Sequence, residues 1–305
     1  MRLVYSPRYR VDIGPHVFPT RKYDLIADRV GGPFVEPEPA TWDELALVHT
    51  PEYLAKMRDG TMTDDDIAQL ELPWSREMVD AFRLMTGGTI QAARMACGFA
   101  AGSRQSPLAS PIVVHIGGGL HHAFPNHGEG FCPFNDVAVA ARVLQQNGVE
   151  RIAVVDLDVH HGNGTAFIFE SDPRVFTFSM HQQHNYPMWK PRGSLDIGLP
   201  DGAGDETFMR ELDRGLPQAM AHRPQCVFYL AGADPYEDDQ LGGMRLTRDG
   251  LRLRDRRVIE AARTAGVPLV VVLAGGYARR VDDTVAIHCA TIEEAARSGG
   301  AVGAG

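Results

Sequence analysis

The sequence predicts an α/β protein with one central, mostly parallel β-sheet flanked by helices. Short apolar runs alternate with helical stretches along the whole chain. Most of these runs are continuously apolar, as in parallel strands that are covered on both faces. No linker or break in composition divides the 305 residues. We therefore expect a single domain over residues 1–297, followed by a flexible tail of small residues at 298–305.

Each element follows from its local pattern. Apolar runs predict strands at residues 3–6, 111–116, 151–158, 174–180, 225–232 and 268–276. Helical periodicity predicts helices at residues 41–60, 76–85, 89–100, 135–148, 204–220, 247–266 and 281–297. The acidic stretch within 61–75 is interpreted as a solvated turn. Two connections, 117–134 and 181–203, are long for this fold, and long loops in compact domains are usually functional.

Composition excludes several classes of function. The net charge is −9 and no block of Lys or Arg occurs, which argues against a nucleic-acid surface. No apolar run reaches 18 residues and the N-terminus has no apolar signal segment, so neither a membrane span nor secretion is expected. The four cysteines are scattered without a CxxC spacing, as in a reduced cytoplasmic protein. The oligomeric state cannot be predicted from these features.

Polar groups collect where the predicted strands end. Ligands of open parallel sheets bind at the carboxyl ends of the strands, so these groups are expected to meet at one edge. The strand-end residues are His121 and His122; Asp156, Asp158 and His160; His181; Asp234; and Tyr277. This convergence is the strongest functional signal in the sequence, because each residue taken alone has an ordinary structural explanation.

The first group is a candidate metal site. Alternate residues of a strand point the same way, so Asp158 and His160 are placed to bind one ion together. Asp234 is the acid best placed to be the third ligand. Two carboxylates and one imidazole leave a coordination position open, which suits a catalytic Zn²⁺ or Fe²⁺ ion better than a closed structural site.

The second group consists of proton-transfer and hydrogen-bonding residues. His121 and His122 follow a glycine triplet and can divide acid and base duties beside an ion. Asp156 is a candidate to orient one of the two imidazoles. Tyr277 follows a strand and two glycines, where its hydroxyl can stabilise charge developing on a substrate oxygen. Together with the metal, these residues make an amide-hydrolysis site.

Five motifs carry a resemblance to a known family. "IGGGLHHAFPNHGEGFCPFNDVAVA" (116–140), "VVDLDVHHGNG" (154–164), "FTFSMH" (176–181), "YLAGADPYEDDQLGGMRLT" (229–247) and "LAGGY" (273–277) resemble the histone deacetylase family in sequence and order. The segments 2–11 and 72–96, together with "DQLGGM", are most similar to its class IV branch, in a bacterial form.

This resemblance implies an arginase/deacetylase fold and a zinc-dependent enzyme that removes acetyl or longer acyl groups from lysine side chains or related amines. It implies zinc ligands Asp158, His160 and Asp234, with His122 as general base, His121 as its partner oriented by Asp156, and Tyr277 polarising the carbonyl. It also implies a structural K⁺ or Na⁺ site at Asp156, Asp158, His160 and Ser179. The expected substrate-channel residues are Gly119, Gly130, Phe131, Leu241, Gly275 and Gly276.

One residue departs from the family pattern. Many members have Asp at the position of Asn163, where the carboxylate holds the second histidine of the pair. An amide still accepts a hydrogen bond but adds no negative charge, so the imidazolium form of His122 should be less favoured. The acid that class I members place at the channel mouth has no identifiable counterpart in the sequence.

Three other functions compete with this one. A small-molecule deacetylase, acting for example on acetylpolyamines, remains a serious variant. A two-manganese ureohydrolase would need a second Asp two residues after Asp234, where the sequence has Tyr236. A catalytically dead binding module would be expected to have lost a ligand or the tyrosine, and this chain keeps all of them.

Overall fold

The computed structural model describes residues 1–100, 103–104 and 112–298. Within these ranges, eight strands form one parallel sheet in the order β2-β1-β5-β10-β9-β6-β7-β8. They are β1 (Arg2–Val4), β2 (Phe34–Val35), β5 (Ile112–His115), β6 (Ile152–Asp156), β7 (Val175–Gln182), β8 (Leu195–Leu199), β9 (Cys226–Leu230) and β10 (Leu269–Val272). The short strands β3 (Phe99–Ala100) and β4 (Ser103–Arg104) pair separately. The predicted fold class is confirmed.

Ten α-helices of the described ranges accompany the sheet. They are α1 (Lys22–Val30), α2 (Trp42–Leu45), α3 (Pro51–Asp59), α4 (Asp64–Leu70), α5 (Arg76–Ala96), α6 (Asp136–Gln146), α7 (Asn163–Phe169), α8 (Asp205–Ala221), α9 (Arg248–Thr264) and α10 (Val281–Ser298). One group of packed helices runs from α8 through α9 and α10 to α1, and another joins α5, α6 and α7. In the described part of the chain, no helix is long and apolar enough to cross a membrane.

The central strands show why their sequence signal was strong. Every residue of β5, β6, β9 and β10 is buried, so each strand reads as an unbroken apolar run. The edge strand β8 alternates between exposed and buried residues and lies inside the predicted loop 181–203. The two-residue β2 was also missed. The expected tail falls outside the described residues from 299 onward, while Ser298 ends α10.

Capping explains two corrections in the N-terminal third. The predicted helix 41–60 is two helices, because Thr50 caps a new helix whose first residue is Pro51. The stretch interpreted as a solvated turn is mostly α4. Thr63 and Asp66 form a capping box at its N-terminus. Asp64, Asp65 and Asp66 all occupy its first turn, where the helix dipole stabilises their negative charge. The helices α1 and α7 were not predicted.

The predicted helices 76–85 and 89–100 are one helix, α5. Gly87 and Gly88 lie inside it and are buried, because neighbouring groups approach the helix too closely for a side chain. A Cβ on Gly87 would lie 1.9 Å from the carbonyl oxygen of Glu38, and one on Gly88 would lie 2.3 Å from the hydroxyl of Tyr9. The two glycines therefore permit close packing and do not mark a turn.

This close approach gives the first testable prediction. We expect Gly87→Ala to lower the free energy of unfolding by about 1–3 kcal/mol, because the backbone at Glu38 must move to admit the methyl group. Gly204→Ala is the control, since its Cβ would meet the nearest atom at an ordinary 3.6 Å. Urea denaturation measures both variants. Equal stability of Gly87→Ala and wild type would contradict the packing explanation.

Candidate active site

The central strands β5, β10, β9 and β6 are neighbours and end at one edge of the sheet. The segments that follow them bring His121, His122, Asp158, His160 and Tyr277 around one cavity. The expected convergence at the carboxyl edge is therefore what the structure shows.

Three buried residues form a group that could hold a metal ion. One ligand atom from each of Asp158, His160 and Asp234 lies within 4.8 Å of the other two. The Nδ1 atom of His160 is 3.0 Å from Oδ1 of Asp158 and 3.5 Å from Oδ2 of Asp234. In the part of the chain that the structure describes, this is the one group of three or more His, Cys, Asp or Glu residues with such geometry.

Two observations test whether these residues suit a cation. The Oδ2 atom of Asp234 is buried and has no hydrogen-bond partner among the described residues. Burial and the charge of Asp158 raise the pKa of Asp234 to about 7. Burial lowers the pKa of His160, but its hydrogen bond with Asp158 and the nearby carboxylate of Asp234 outweigh burial and raise that pKa to about 10. The group thus needs positive charge, and its two oxygens and one nitrogen suit zinc or iron.

The main chain fixes the remaining oxygens of this group. The N–H of Gly275 donates to Oδ2 of Asp158 at 2.9 Å, and the N–H of Val159 donates to Oδ1 of Asp234 at 2.9 Å. A Cβ on Gly275 would lie 2.0 Å from Oδ2 of Asp234, so glycine is required for this close approach. These contacts hold the carboxylates in place before any ion binds.

A buried guanidinium, that of Arg254, holds the main chain just before Asp158 and Asp234. Arg254 is completely buried and pairs with Asp255 at 2.8 Å. Its Nη1 donates to the carbonyl two residues before Asp234 at 2.6 Å and to the carbonyl directly before Asp158 at 3.4 Å. Arg254 lies in a helix with many exposed arginines, so its burial had no signal in the local sequence.

The two histidines differ in their partners. Nδ1 of His121 lies 2.7 Å from Oδ2 of Asp156, and Nδ1 of His122 lies 2.7 Å from Oδ1 of Asn163. Burial lowers the pKa of His121, but the carboxylates of Asp156 and Asp158 outweigh burial and raise it to about 9. Burial, and then the charges of His121 and neighbouring His160, lower the pKa of His122 well below its ordinary value.

These opposite shifts separate an acid from a base. The ring centroids of His121 and His122 are 4.1 Å apart, so both can serve one reacting group. His121 keeps a proton to give, whereas His122 stays neutral and can take one.

A buried carboxylate that the sequence did not single out positions this pair. Oδ1 of Asp136 accepts from the N–H of Leu120 at 2.7 Å, and its Oδ2 accepts from the N–H of Gly119 at 3.1 Å. The hydroxyl of Thr89 also donates to Asp136. Asp136 therefore fixes the turn that delivers His121, and its place at the start of α6 was the available signal.

Tyr277 is fixed by a second unpredicted carboxylate. Oδ2 of Asp239 accepts from the main-chain N–H of Tyr277 at 2.7 Å, while its Oδ1 accepts from the N–H groups of Leu241 and Gly242, both at 2.9 Å. Burial raises the pKa of Tyr277 well above its ordinary value, and the charges of Asp158 and others add to the effect. The phenol therefore keeps its proton and can act as a donor.

A cavity of about 170 Å³ leads to these groups. Its lining residues are Glu71, His122, Gly130, Phe131, His160, Asn185, Tyr186, Leu241 and Tyr277. A deeper cavity of about 30 Å³ adds Gly119, Asp158 and Gly275. Of the six expected channel residues, Gly276 lines neither cavity, because a Cβ there would face Thr284 and Ala233.

One acid that the sequence interpretation did not locate, Glu71, lines the 170 Å³ cavity, whereas none of the acids at 64–66 does. Glu71 directly follows the last residue of α4, and its backbone is left-handed, with φ of 59°. Tyr186 and Asn185, from the long 181–203 loop, form another part of this wall. The length of the loop indicated its functional position, but Glu71 had no local signal.

Two other expected residues, Ser179 and His181, lie near the end of β7, the strand that pairs with β6. Ser179 is paired in register with Asp156 on the neighbouring strand, and its hydroxyl lies 3.0 Å from Nδ1 of His181. His161 is buried, with Nε2 3.2 Å from Asp196 and its ring against His181. His161 and His181 line neither cavity.

Comparisons with known proteins point to one family. A family model described as histone deacetylase domain matches residues 17–292. An uncharacterized protein of Picosynechococcus is 40% identical, over 94% of this chain and 95% of its own length. A probable deacetylase of Archaeoglobus fulgidus is 33% identical, over 80% of this chain and 68% of its own length. The crystal structure of the HDA15 HD domain has a TM-score of 0.76 at 25% identity and covers 97% of this chain and 91% of its own.

Proposed function

Because the chain belongs to the histone deacetylase family, we propose that it is a zinc-dependent amide hydrolase acting on acylated lysine side chains or related acylated amines. The observation that carries this proposal is the buried Asp158, His160 and Asp234 group at the end of a narrow cavity. Its unpartnered carboxylate oxygen is best explained by an ion, and the adjoining residues supply the acid, the base and the oxyanion donor.

Asp158, His160 and Asp234 would hold the zinc ion. Bound there, zinc would supply a Lewis acid for the amide carbonyl and would lower the pKa of water. Fe²⁺ suits the same donors and is the alternative in the cell. A structural K⁺ or Na⁺ ion is proposed beside this site, at Asp156, Asp158, His160 and Ser179, where β6 and β7 pair.

The protein's own residues carry the proton transfers. His122 takes a proton from the attacking water at Nε2, because its Nδ1 is engaged by Asn163. Tyr277 donates a hydrogen bond to the carbonyl oxygen as negative charge develops there. His121, held by Asp156, gives a proton to the leaving amine. The products are a carboxylate and a free amine.

The shape of the cavity supports an extended, acylated amine as substrate. Its walls are partly aromatic, with Phe131 and Tyr186, and Leu241 adds an apolar side chain. Such a wall suits the aliphatic stem of lysine or of a polyamine. Glu71 at the wall would favour a substrate with positive charge near the entrance.

We further propose one catalytic domain over residues 1–297 and a cytoplasmic location. A single sheet carries all the described site residues. The four cysteines are free, which suits a reducing compartment.

Substrate class is tested by an acyl-length series on lysine peptides and on free polyamines, with the zinc-loaded protein. Hydrolysis of peptide amides supports a lysine deacylase, and hydrolysis confined to free amines supports the small-molecule variant. A zinc-loaded, folded protein that cleaves neither series would contradict the proposed function.

His122 gives a direct test of the base. We expect His122→Ala to reduce kcat by roughly 10²-fold or more, because neighbouring His121 holds its proton and cannot replace the lost base. Zinc content should be unchanged, since His122 is not a ligand. His184→Ala, at a side chain that is 74% exposed, is the matched control and should keep full activity. Full activity of His122→Ala would remove His122 from the base role.

A further inference from the structure

Asn163 lies between His122 and a carboxylate that the proposed mechanism does not use. Its Oδ1 is 2.7 Å from Nδ1 of His122, and its Nδ2 donates to Oε1 of Glu129 at 2.7 Å. The hydroxyl of Tyr186 donates to the same Oε1 at 2.9 Å. Glu129 is one residue before Gly130 but lines neither cavity, so it lies behind the channel wall.

Glu129 is held in its ionised form. Burial would raise the pKa of Glu129, but hydrogen bonds from His127, Asn163 and Tyr186 outweigh burial and lower it. An ionised carboxylate can only accept hydrogen bonds. The atom of Asn163 that faces Glu129 must therefore be the Nδ2 donor.

This constraint passes through the amide to the histidine. With Nδ2 turned toward Glu129, the Oδ1 acceptor of Asn163 must face His122. An acceptor at that point requires a proton on Nδ1 of His122. In the neutral ring, Nε2 then carries the lone pair, which is the form that a general base needs.

We propose that Glu129 is a positioning residue that fixes the Nδ1–H tautomer and the orientation of His122 through the amide of Asn163. This inference rests on the proposed function, in which His122 is the base. The chain thus keeps the carboxylate that the family pattern places next to the histidine, but one hydrogen bond farther away. Because Glu129 accepts from Nδ2 of Asn163, the amide presents Oδ1 to His122, and the neutral amide keeps the negative charge of Glu129 away from the imidazole.

The arrangement predicts a specific pattern among variants. Glu129→Gln keeps the size of the side chain, but an amide both donates and accepts. The amide of Asn163 can then rotate by 180°, so that the tautomer of His122 is no longer fixed. Asn163→Asp places a second carboxylate 2.7 Å from Glu129, where the two repel each other. The double variant puts an acceptor-only carboxylate directly on His122 and faces it with an amide that can donate to it. The constraint on the tautomer therefore returns.

Steady-state kinetics on the full chain loaded with zinc tests this pattern. We expect Glu129→Gln to lower kcat about 10-fold or more, as changes to groups that orient catalytic residues usually do, with little change in KM. Asn163→Asp should lose more activity, and adding Glu129→Gln to it should restore activity. Glu170→Gln is the control, since Glu170 is exposed at the end of α7, the helix that begins at Asn163, and lines neither cavity. Thermal unfolding confirms that each variant is folded.

A second readout does not depend on activity. Nitrogen-15 spectra of the imidazole rings, recorded without and with zinc and assigned with His122→Ala, report which ring nitrogen carries the proton. Wild type and the double variant should show His122 with the proton on Nδ1, and Glu129→Gln should show a mixture. If wild type cleaves no acylated amine, the proposed function fails, while these spectra still test the tautomer.

Three results would overturn the positioning role. The first is an unchanged kcat and an unchanged His122 spectrum in Glu129→Gln. The second is a double variant no more active than Asn163→Asp alone. The third is an equal loss in Glu170→Gln, because that would show a general effect of removing a carboxylate.

Discussion

Asp234→Asn should abolish metal binding and hydrolysis together. Removing one of the three proposed ligands of the catalytic ion would lose several kcal/mol of transition-state stabilisation, so we expect kcat/KM to fall by roughly 10³-fold or more. Metal content measured after gel filtration should fall from one ion per chain to almost none. Asp213→Asn, at a side chain that is 55% exposed, is the matched control and should bind and hydrolyse normally.

The same substitution should not weaken the metal-free protein. Burial and Asp158 raise the pKa of Asp234 to about 7, above its value in the unfolded chain. A carboxyl with a raised pKa costs stability once the pH exceeds its unfolded value, and the full cost is present above its folded value. At pH 8 with a chelator, Asp234→Asn should therefore unfold at or above the temperature of wild type. Zinc should raise the unfolding temperature of wild type and leave that of the variant unchanged.

An Asp234→Asn variant that keeps stoichiometric zinc and activity would contradict the assigned ligand set. A metal-free variant much less stable than metal-free wild type would contradict the electrostatic explanation, because it would show that Asp234 stabilises the fold without an ion.

Tyr277→Phe should have the second largest effect. The substitution removes one hydroxyl at the cavity wall and leaves the ring against Phe131 and near the ammonium group of Lys22. A donor that acts on a developing oxyanion contributes to the transition state, so kcat should fall by roughly 10²-fold or more while KM changes little. Zinc content and unfolding temperature should remain close to wild type.

Tyr236→Phe is the control for the loss of a hydroxyl. Tyr236 also follows a central strand, but it lies beside Arg248 and lines neither cavity. Its loss should leave kcat unchanged. A Tyr277→Phe variant with full activity would show that another group supplies the oxyanion donor.

The parts of the fold that could be predicted are those encoded locally. A buried parallel strand such as β6 is an unbroken apolar run, and the residues directly after it must emerge at the carboxyl edge. Position along the chain was therefore enough to collect Asp158, His160, Asp234 and Tyr277 at one edge.

The parts that could not be predicted depend on contacts between distant segments. Gly87 and Gly88 look like a helix end, and only the approach of Glu38 and Tyr9 shows why they lie inside α5. Edge strand β8 pairs on one side and lacks the apolar run that identifies a central strand.

The same limit applies to the site. Asn163 was recognised from its place in a motif, but Glu129 is 34 residues away in sequence and acts through a hydrogen bond that only the fold creates. Glu71 likewise reaches the cavity because α4 ends in a left-handed residue at that point. Motifs thus identify the groups that react, whereas the groups that orient them emerge from tertiary structure.

Zinc titration of the metal-free protein tests the central claim most directly. Hydrolysis of an acyl-lysine peptide and of an acylated polyamine would be followed together, with the released carboxylate and amine both quantified. We expect activity to rise in proportion to zinc up to one equivalent per chain and then to level off, with equal amounts of the two products. A folded protein that holds one equivalent of zinc and releases no carboxylate from either substrate would contradict the claim.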